Sequence, residues 1–107
     1  MRVLLDEHLP IGFAPALEGH EVSTVRGEGW MGLGNGALLE AAASAGFEVF
    51  VTNDRSIEHQ QNLTQGGLGI VVLDAPSNKL PDLQDRAKGT LAAIAVVEKG
   101  QVVHVAG

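Results

Sequence analysis

The chain has 107 residues, a length that suits one domain with a single hydrophobic core. Its apolar content of 45% excludes a disordered chain, and no apolar run reaches the ~18 residues that a membrane span needs. Because the chain lacks cysteine and an apolar signal segment, we expect no disulfide, no thiolate metal site and a cytoplasmic location without membrane contact. The formal net charge of −6 argues against a broad phosphate-neutralising surface, so any contact with nucleic acid must be local or metal-mediated.

Five apolar stretches are predicted to form strands. Most of them do not alternate in polarity, which suits a sheet that is covered on both faces. They are residues 2–5, 21–25, 47–52, 69–73 and 102–105.

Helices are predicted between these strands. The spacing of Leu9, Phe13 and Leu17 indicates a short first helix, which Pro15 makes irregular or kinked. The other helices are predicted at residues 36–45, capped by Asn35 and ended by Gly46, at residues 55–63, capped by Asn53 or Asp54, and from Pro81 through Ile94. The glycine-rich residues 27–36 form a loop, in which Trp30 either anchors the loop or lines a cleft.

The alternation of strands and helices predicts an α/β fold. We expect a three-layer αβα sandwich around a mainly parallel five-stranded sheet, in a single domain spanning residues 1–107. In such sheets, ligands bind beyond the carboxyl ends of the strands, at the place where the strand order reverses.

Acidic residues follow two of the predicted strands. Asp6 and Glu7 come directly after the first strand, and Asp54 follows the third. If those strands are neighbours, the carboxylates meet in one cleft, where two charges 4 Å apart repel by about 4 kcal/mol at an effective dielectric near 20. Either one acid stays protonated or a cation neutralises the pair, and oxygen ligands favour Mg²⁺ or Mn²⁺. The alternative is that each aspartate only caps a helix.

Two motifs resemble those of a known family. Residues 4–10, L-L-D-E-H-L-P, closely resemble the L-L-D-E-N-L-P opening of the short PIN-like domains related to VapC-type toxins, and residues 51–55, V-T-N-D-R, resemble that family's V-x-T-x-D-x-D-F motif. Residues 19–22, 38–42 and 69–73 are similar to further segments of the family. The resemblance covers most of the chain, at least residues 2–73.

The resemblance implies a fold, an activity and partners. It implies a PIN-like sheet with the first strand at its centre, and an acid cluster that binds Mg²⁺ or Mn²⁺ and cleaves single-stranded RNA. It also implies a toxin paired with an antitoxin protein, and a homodimer.

The chain departs from the family pattern at three positions. Asn35 and Ser56 stand where the family has aspartates, and His8 stands where it has asparagine. Asn35 can still ligate a metal through its amide oxygen, and Ser56 can still hydrogen-bond a metal-bound water. Since both are neutral, we expect weaker metal binding, and slow catalysis, a different substrate or lost catalysis.

The candidate site has three groups of residues, and the roles of His8, Arg55 and the nearby Glu40 each have alternatives. His8 is either a ligand, a general base or a hydrogen-bonded surface residue, and Arg55 either contacts phosphate or pairs with a carboxylate. Glu40 either faces the cleft or faces solvent. The catalytic candidates are Asp6, Glu7 and Asp54, the metal candidates are Asp6, Asp54 and Asn35, and the substrate-binding candidates are His8, Arg55 and Ser56.

Three functions compete at this stage. The first is a metal-dependent ribonuclease that acts as a toxin. The second is a catalytically impaired PIN-like domain that binds a protein partner. The third is a receiver-like domain that carries an aspartyl phosphate, for which Lys79 is the only candidate for the lysine that such a site needs.

Overall fold

Five strands form one sheet in this computed structural model, which describes residues 1–59 and 67–106, without the side chains of residues 58 and 59. The strands are β1 (Arg2–Leu5), β2 (Glu21–Thr24), β3 (Val49–Thr52), β4 (Gly69–Asp74) and β5 (Val102–Ala106). Their order is β2-β1-β3-β4-β5, and all four pairings are parallel.

The strand order confirms the predicted fold class and places its crevice. The chain runs from β1 outward to β2, and then crosses back over β1 to β3. The order therefore reverses between β1 and β3, and the crevice beyond their carboxyl ends is where ligands of such sheets bind. An α/β sandwich of this kind is consistent with the PIN-like architecture that the resemblance implies.

Two hydrophobic layers cover the sheet. One contains Phe13, Leu83 and Ile94 from the helices on one face, and the other contains Leu39 and Ile57 from the helices on the opposite face. Alternate residues of the central strands point into each layer, which explains their unbroken apolar sequences. Fully buried side chains on both faces fix the register of β1 and β3, and hence the position of the residues that follow them.

The first predicted helix is a 3-10 helix, Ile11–Ala16, with Pro15 inside it. Proline removes one backbone donor and clashes with a regular α-helical turn, which explains the tighter helix. The predicted helix at residues 55–63 is likewise a 3-10 helix over Arg55–His59, and residues 60–63 lie outside the described residues.

The predicted N-cap of the middle helix is wrong by one residue. Helix α1 spans Asn35–Ser44, so Asn35 is its first residue and Gly34 occupies the cap position without a side-chain bond. At the other end, Gly46 has φ 90°, Gly46 N–H donates to Ala43 O at 3.1 Å, and Phe47 N–H donates to Ala42 O at 3.0 Å. This Schellman arrangement ends the helix at the predicted glycine and keeps Phe47 out of β3.

The predicted last helix is two helices, α2 (Leu80–Gln84) and α3 (Ala87–Val96). The Arg86 backbone N–H donates to Leu83 O at 2.9 Å, and the Arg86 guanidinium donates to Asp82 O at 2.7 Å. The side chain thereby replaces the backbone bond that a continuous helix would make. Among the residues described, no helix has the length and apolar character needed to cross a membrane.

Candidate acidic site at the carboxyl ends of the central strands

Asp6 is fixed in the crevice between β1 and β3. Its backbone N–H donates to Val51 O at 3.0 Å, and the residue is only 8% exposed. Each oxygen of its carboxylate accepts one hydrogen bond, Oδ1 from Glu7 N–H at 2.7 Å and Oδ2 from the Thr52 hydroxyl at 2.6 Å. Because a carboxylate can accept about four bonds, Asp6 keeps acceptor capacity toward the crevice.

Thr52 joins the two acidic segments. It is fully buried at the end of β3, and its hydroxyl donates to Asp6 while accepting the N–H of Asp54 at 3.0 Å. The predicted site lacked this residue. Its signal in the sequence is a hydroxyl at the end of a wholly apolar strand, two positions before an aspartate.

Asp54 caps the second 3-10 helix, as the capping alternative predicts. Its Oδ1 accepts the Ser56 N–H at 2.9 Å and the Ser56 hydroxyl at 2.7 Å. The two bonds from Ser56, first the hydroxyl and then the N–H, lower the pKa of Asp54 from its ordinary value of 3.8. Burial opposes this lowering, and the His8 imidazole and the Asn35 side chain lower the pKa by smaller amounts. Asp54 is therefore ionised and ready to face a cation.

These contacts bring five of the seven predicted site residues together. Asp6 is linked to Asp54 through Thr52, Ser56 bonds the Asp54 carboxylate, and Asn35 and His8 lie close enough to lower the pKa of Asp54. The sixth, Glu7, is half-buried and lines an adjoining cleft with Asp6.

Arg55 takes the second of its two predicted roles. Its Nε lies 3.1 Å from Asp74 Oδ1, so it pairs with a carboxylate at the end of β4. His104 Nδ1 lies 3.2 Å from the other oxygen of Asp74. The predicted phosphate contact of Arg55 would have to compete with this ion pair.

Glu40 and Trp30 each had two possible roles, and both have the one that does not involve the site. Glu40 is exposed on α1, as a solvent-facing residue would be. The Trp30 ring packs edge-on against Phe47, with 6.0 Å between the ring centroids, and anchors the glycine-rich loop.

The donor set matches a hard divalent cation in chemistry, but it is small in number. Asp6 and Asp54 supply carboxylate oxygens and Asn35 supplies an amide oxygen, which are ligand types of Mg²⁺ and Mn²⁺. Within residues 1–59 and 67–106, no group of three or more histidines and acids comes together that could hold a metal ion. A cation here would depend on one or two carboxylates and keep several waters, as Mg²⁺ often does.

Comparison with known proteins adds no relative. No family model, no curated protein and no solved structure matches the chain.

Proposed function

We propose that this protein is a metal-dependent ribonuclease that hydrolyses phosphodiester bonds of single-stranded RNA and is the toxin of a toxin–antitoxin pair. The observation that carries the proposal is the pair of hydrogen bonds that Thr52 makes, to the Asp6 carboxylate and from the Asp54 backbone N–H, which positions both acidic residues at the reversal point of the sheet. Neither aspartate has a basic side chain bonded to it in the described part of the chain, so the negative charge there is uncompensated by ion pairing. A cation supplies that compensation.

The residues of the site have separate roles in this proposal. Asp6 and Asp54 hold Mg²⁺ or Mn²⁺, with the Asn35 amide oxygen as a third donor. Ser56 fixes the orientation of Asp54, and the exposed His8 is placed to contact the phosphate. A bound Mg²⁺ or Mn²⁺ would supply polarisation of a phosphoryl oxygen and activation of a water molecule. Glu7, on the wall of the adjoining cleft, completes the acidic lining.

A cleavage assay tests this function. We expect the purified chain to cleave a fluorophore-quencher single-stranded RNA in Mn²⁺ or Mg²⁺, and EDTA to abolish the cleavage. Asp6→Asn and Asp54→Asn should each reduce the rate by about 10²-fold or more, because each removes a charge that the cation needs. Asp85→Asn is the matched control, since Asp85 is exposed at the end of α2.

Equal cleavage by the wild type and both site variants would identify a contaminating nuclease and contradict the proposal. Absence of any metal-dependent cleavage would favour the second candidate function, a PIN-like module that binds a protein partner. The observation that favours it is that both carboxylate oxygens of Asp6 and Oδ1 of Asp54 already accept hydrogen bonds from the protein, while Asn35 and Ser56 add no charge.

A further inference from the structure

A cleft of about 280 Å³ lies where β1 and β2 end, beside Asp6 and Asp54, which together are called the acid pair. Asp6 and Glu7 form its acidic wall. Pro10 and Ile11 form an apolar wall, and Ile11 is 74% exposed. Thr24 and Arg26 close the cleft on the β2 side.

Arg26 is the cation of this cleft. Within the described residues its side chain has neither a hydrogen bond nor an ion pair, although the chain carries a net charge of −6. The other arginines are engaged, Arg2 with Glu21, Arg55 with Asp74 and Arg86 with backbone carbonyls. An unpaired guanidinium next to an acidic site suits a ligand that carries its own negative charge.

The turn that carries Arg26 is rigidly held. Val25 N–H donates to Leu5 O at 3.0 Å, directly before Asp6 in the chain. Gly27 N–H donates to the Thr24 hydroxyl at 2.9 Å, and Gly29 N–H donates to Arg26 O at 3.1 Å. The backbone of Arg26 is therefore fixed relative to the acid pair before any ligand binds, which lowers the entropic cost of binding.

We propose that this cleft is the subsite for the nucleotide next to the scissile phosphate, with Arg26 binding that nucleotide's phosphate and Ile11 contacting its sugar or base. This inference rests on the proposed function, because that function places the scissile phosphate at Asp6. A nucleotide combines an anionic phosphate with flat and apolar surfaces, and the cleft offers a guanidinium and an apolar wall for these two parts.

Binding without catalysis tests the subsite directly. 5′-Phosphorylated uridylyl-adenosine, a dinucleotide with two phosphates, is titrated into the ¹⁵N-labelled chain in EDTA, and amide shifts are followed by NMR. We expect shifts concentrated at Ile11 and Arg26, abolished by Arg26→Ala and kept by Lys99→Ala. Lys99 is the charge-matched control, because it lies before β5, at the opposite end of the parallel strands.

Kinetics supply the second readout. Arg26→Ala should raise the KM for single-stranded RNA about tenfold or more while kcat changes little, because a charge-assisted bond to the phosphate is lost. The salt dependence of binding should also fall, by a slope of about 0.7 per phosphate contact on single strands. Arg26→Lys should restore part of the affinity, and since Arg26 is exposed and unpaired, none of these variants should lower Tm.

The outcomes separate the two proposals. If the chain cleaves RNA but Arg26→Ala leaves the NMR shifts and KM unchanged, the subsite is wrong and the ribonuclease stands. If no metal-dependent cleavage is found, the ribonuclease is wrong, and the titration in EDTA still decides whether the cleft binds a nucleotide through Arg26. Absence of shifts in the cleft at millimolar dinucleotide would overturn the subsite.

Discussion

Thr52 is the residue through which the two acids share one site. Its hydroxyl is used twice, as donor to Asp6 Oδ2 at 2.6 Å and as acceptor from Asp54 N–H at 3.0 Å. A buried hydroxyl with both capacities satisfied links the ends of β1 and β3 without adding charge. Valine has nearly the same shape as threonine but offers neither bond.

Thr52→Val should therefore lower the free energy of unfolding by about 1–3 kcal/mol, because it leaves one oxygen of Asp6 and the N–H of Asp54 without their partners. Urea unfolding measures the change. Thr90→Val is the control, since Thr90 is also fully buried but only donates to Arg86 O, which additionally accepts the Thr90 N–H at 2.8 Å. Equal losses in the two variants would contradict the linking role of Thr52.

Asp54 gives the site a dependence on pH. Its pKa in the folded chain is lowered, first by the Ser56 hydroxyl and then by the Ser56 N–H. A lowered folded pKa means that the unfolded chain binds protons first as the solution is acidified. The stabilisation is present above the ordinary value of 3.8 and is lost as the pH falls through the lowered pKa.

Ser56→Ala should move the pKa of Asp54 back toward 3.8, because it removes the hydrogen bond from the Ser56 hydroxyl, which lowers that pKa more than the Ser56 N–H does. NMR titration of the Asp54 carboxyl carbon measures the pKa. The stability difference between Ser56→Ala and the wild type should be seen at neutral pH and shrink below pH 3.8. Ser44→Ala, an exposed position at the end of α1, is the control, and an unchanged Asp54 pKa in Ser56→Ala would refute the cause assigned here.

The bounds of strands and helices were predictable where one local sequence pattern determines them. All five strands lie within two residues of their predicted bounds, because an unbroken apolar run between turn residues has few alternatives. The break between α2 and α3 was not predictable, because the apolar spacing continues across it. Its cause is distant in sequence, since Arg86 Nε donates to Asp74 O at the end of β4, at 2.9 Å.

Gly69 shows how closely β4 approaches the chain after α3. A Cβ atom at Gly69 would lie 2.9 Å from both methyl groups of Val97 and 3.3 Å from Glu98 O. Gly69→Ala should therefore destabilise the protein by about 1–3 kcal/mol in urea unfolding, through overpacking. Gly34→Ala, where a Cβ meets nothing within 4 Å, should change stability by less than about 1 kcal/mol. A neutral Gly69→Ala variant would show that β4 and Val97 are less tightly packed than described.

The order of the strands in the sheet determines where the candidate site lies. The adjacency of β1 and β3 could be expected only as one option from the sequence, and the strand order settles it. Asp6 and Asp54 were predictable because they lie within two residues of the ends of apolar strands, and Ser56 was predicted from the family resemblance. Thr52 and Arg26 were not, because their roles depend on a partner strand and on a cleft that exist only after folding.

In the proposed ribonuclease, Asp6 and Asp54 form a cation site that is weakened by the neutral side chain of Asn35. Asn35→Asp adds a third carboxylate beside Asp54, so it should lower Tm without metal through like-charge repulsion and enlarge the rise in Tm that a cation produces. Gln101→Glu adds the same charge just before β5, at the opposite end of the sheet, and is the control.

The most direct measurement is Tm as a function of Mn²⁺ concentration in the wild type, Asp54→Asn, Asn35→Asp and Gln101→Glu. The account predicts a rise in Tm with Mn²⁺ in the wild type, none in Asp54→Asn, a larger rise in Asn35→Asp from a lower starting value, and a wild-type response in Gln101→Glu. A Tm that is independent of Mn²⁺ in the wild type and in Asn35→Asp, or an undiminished rise in Asp54→Asn, would contradict it.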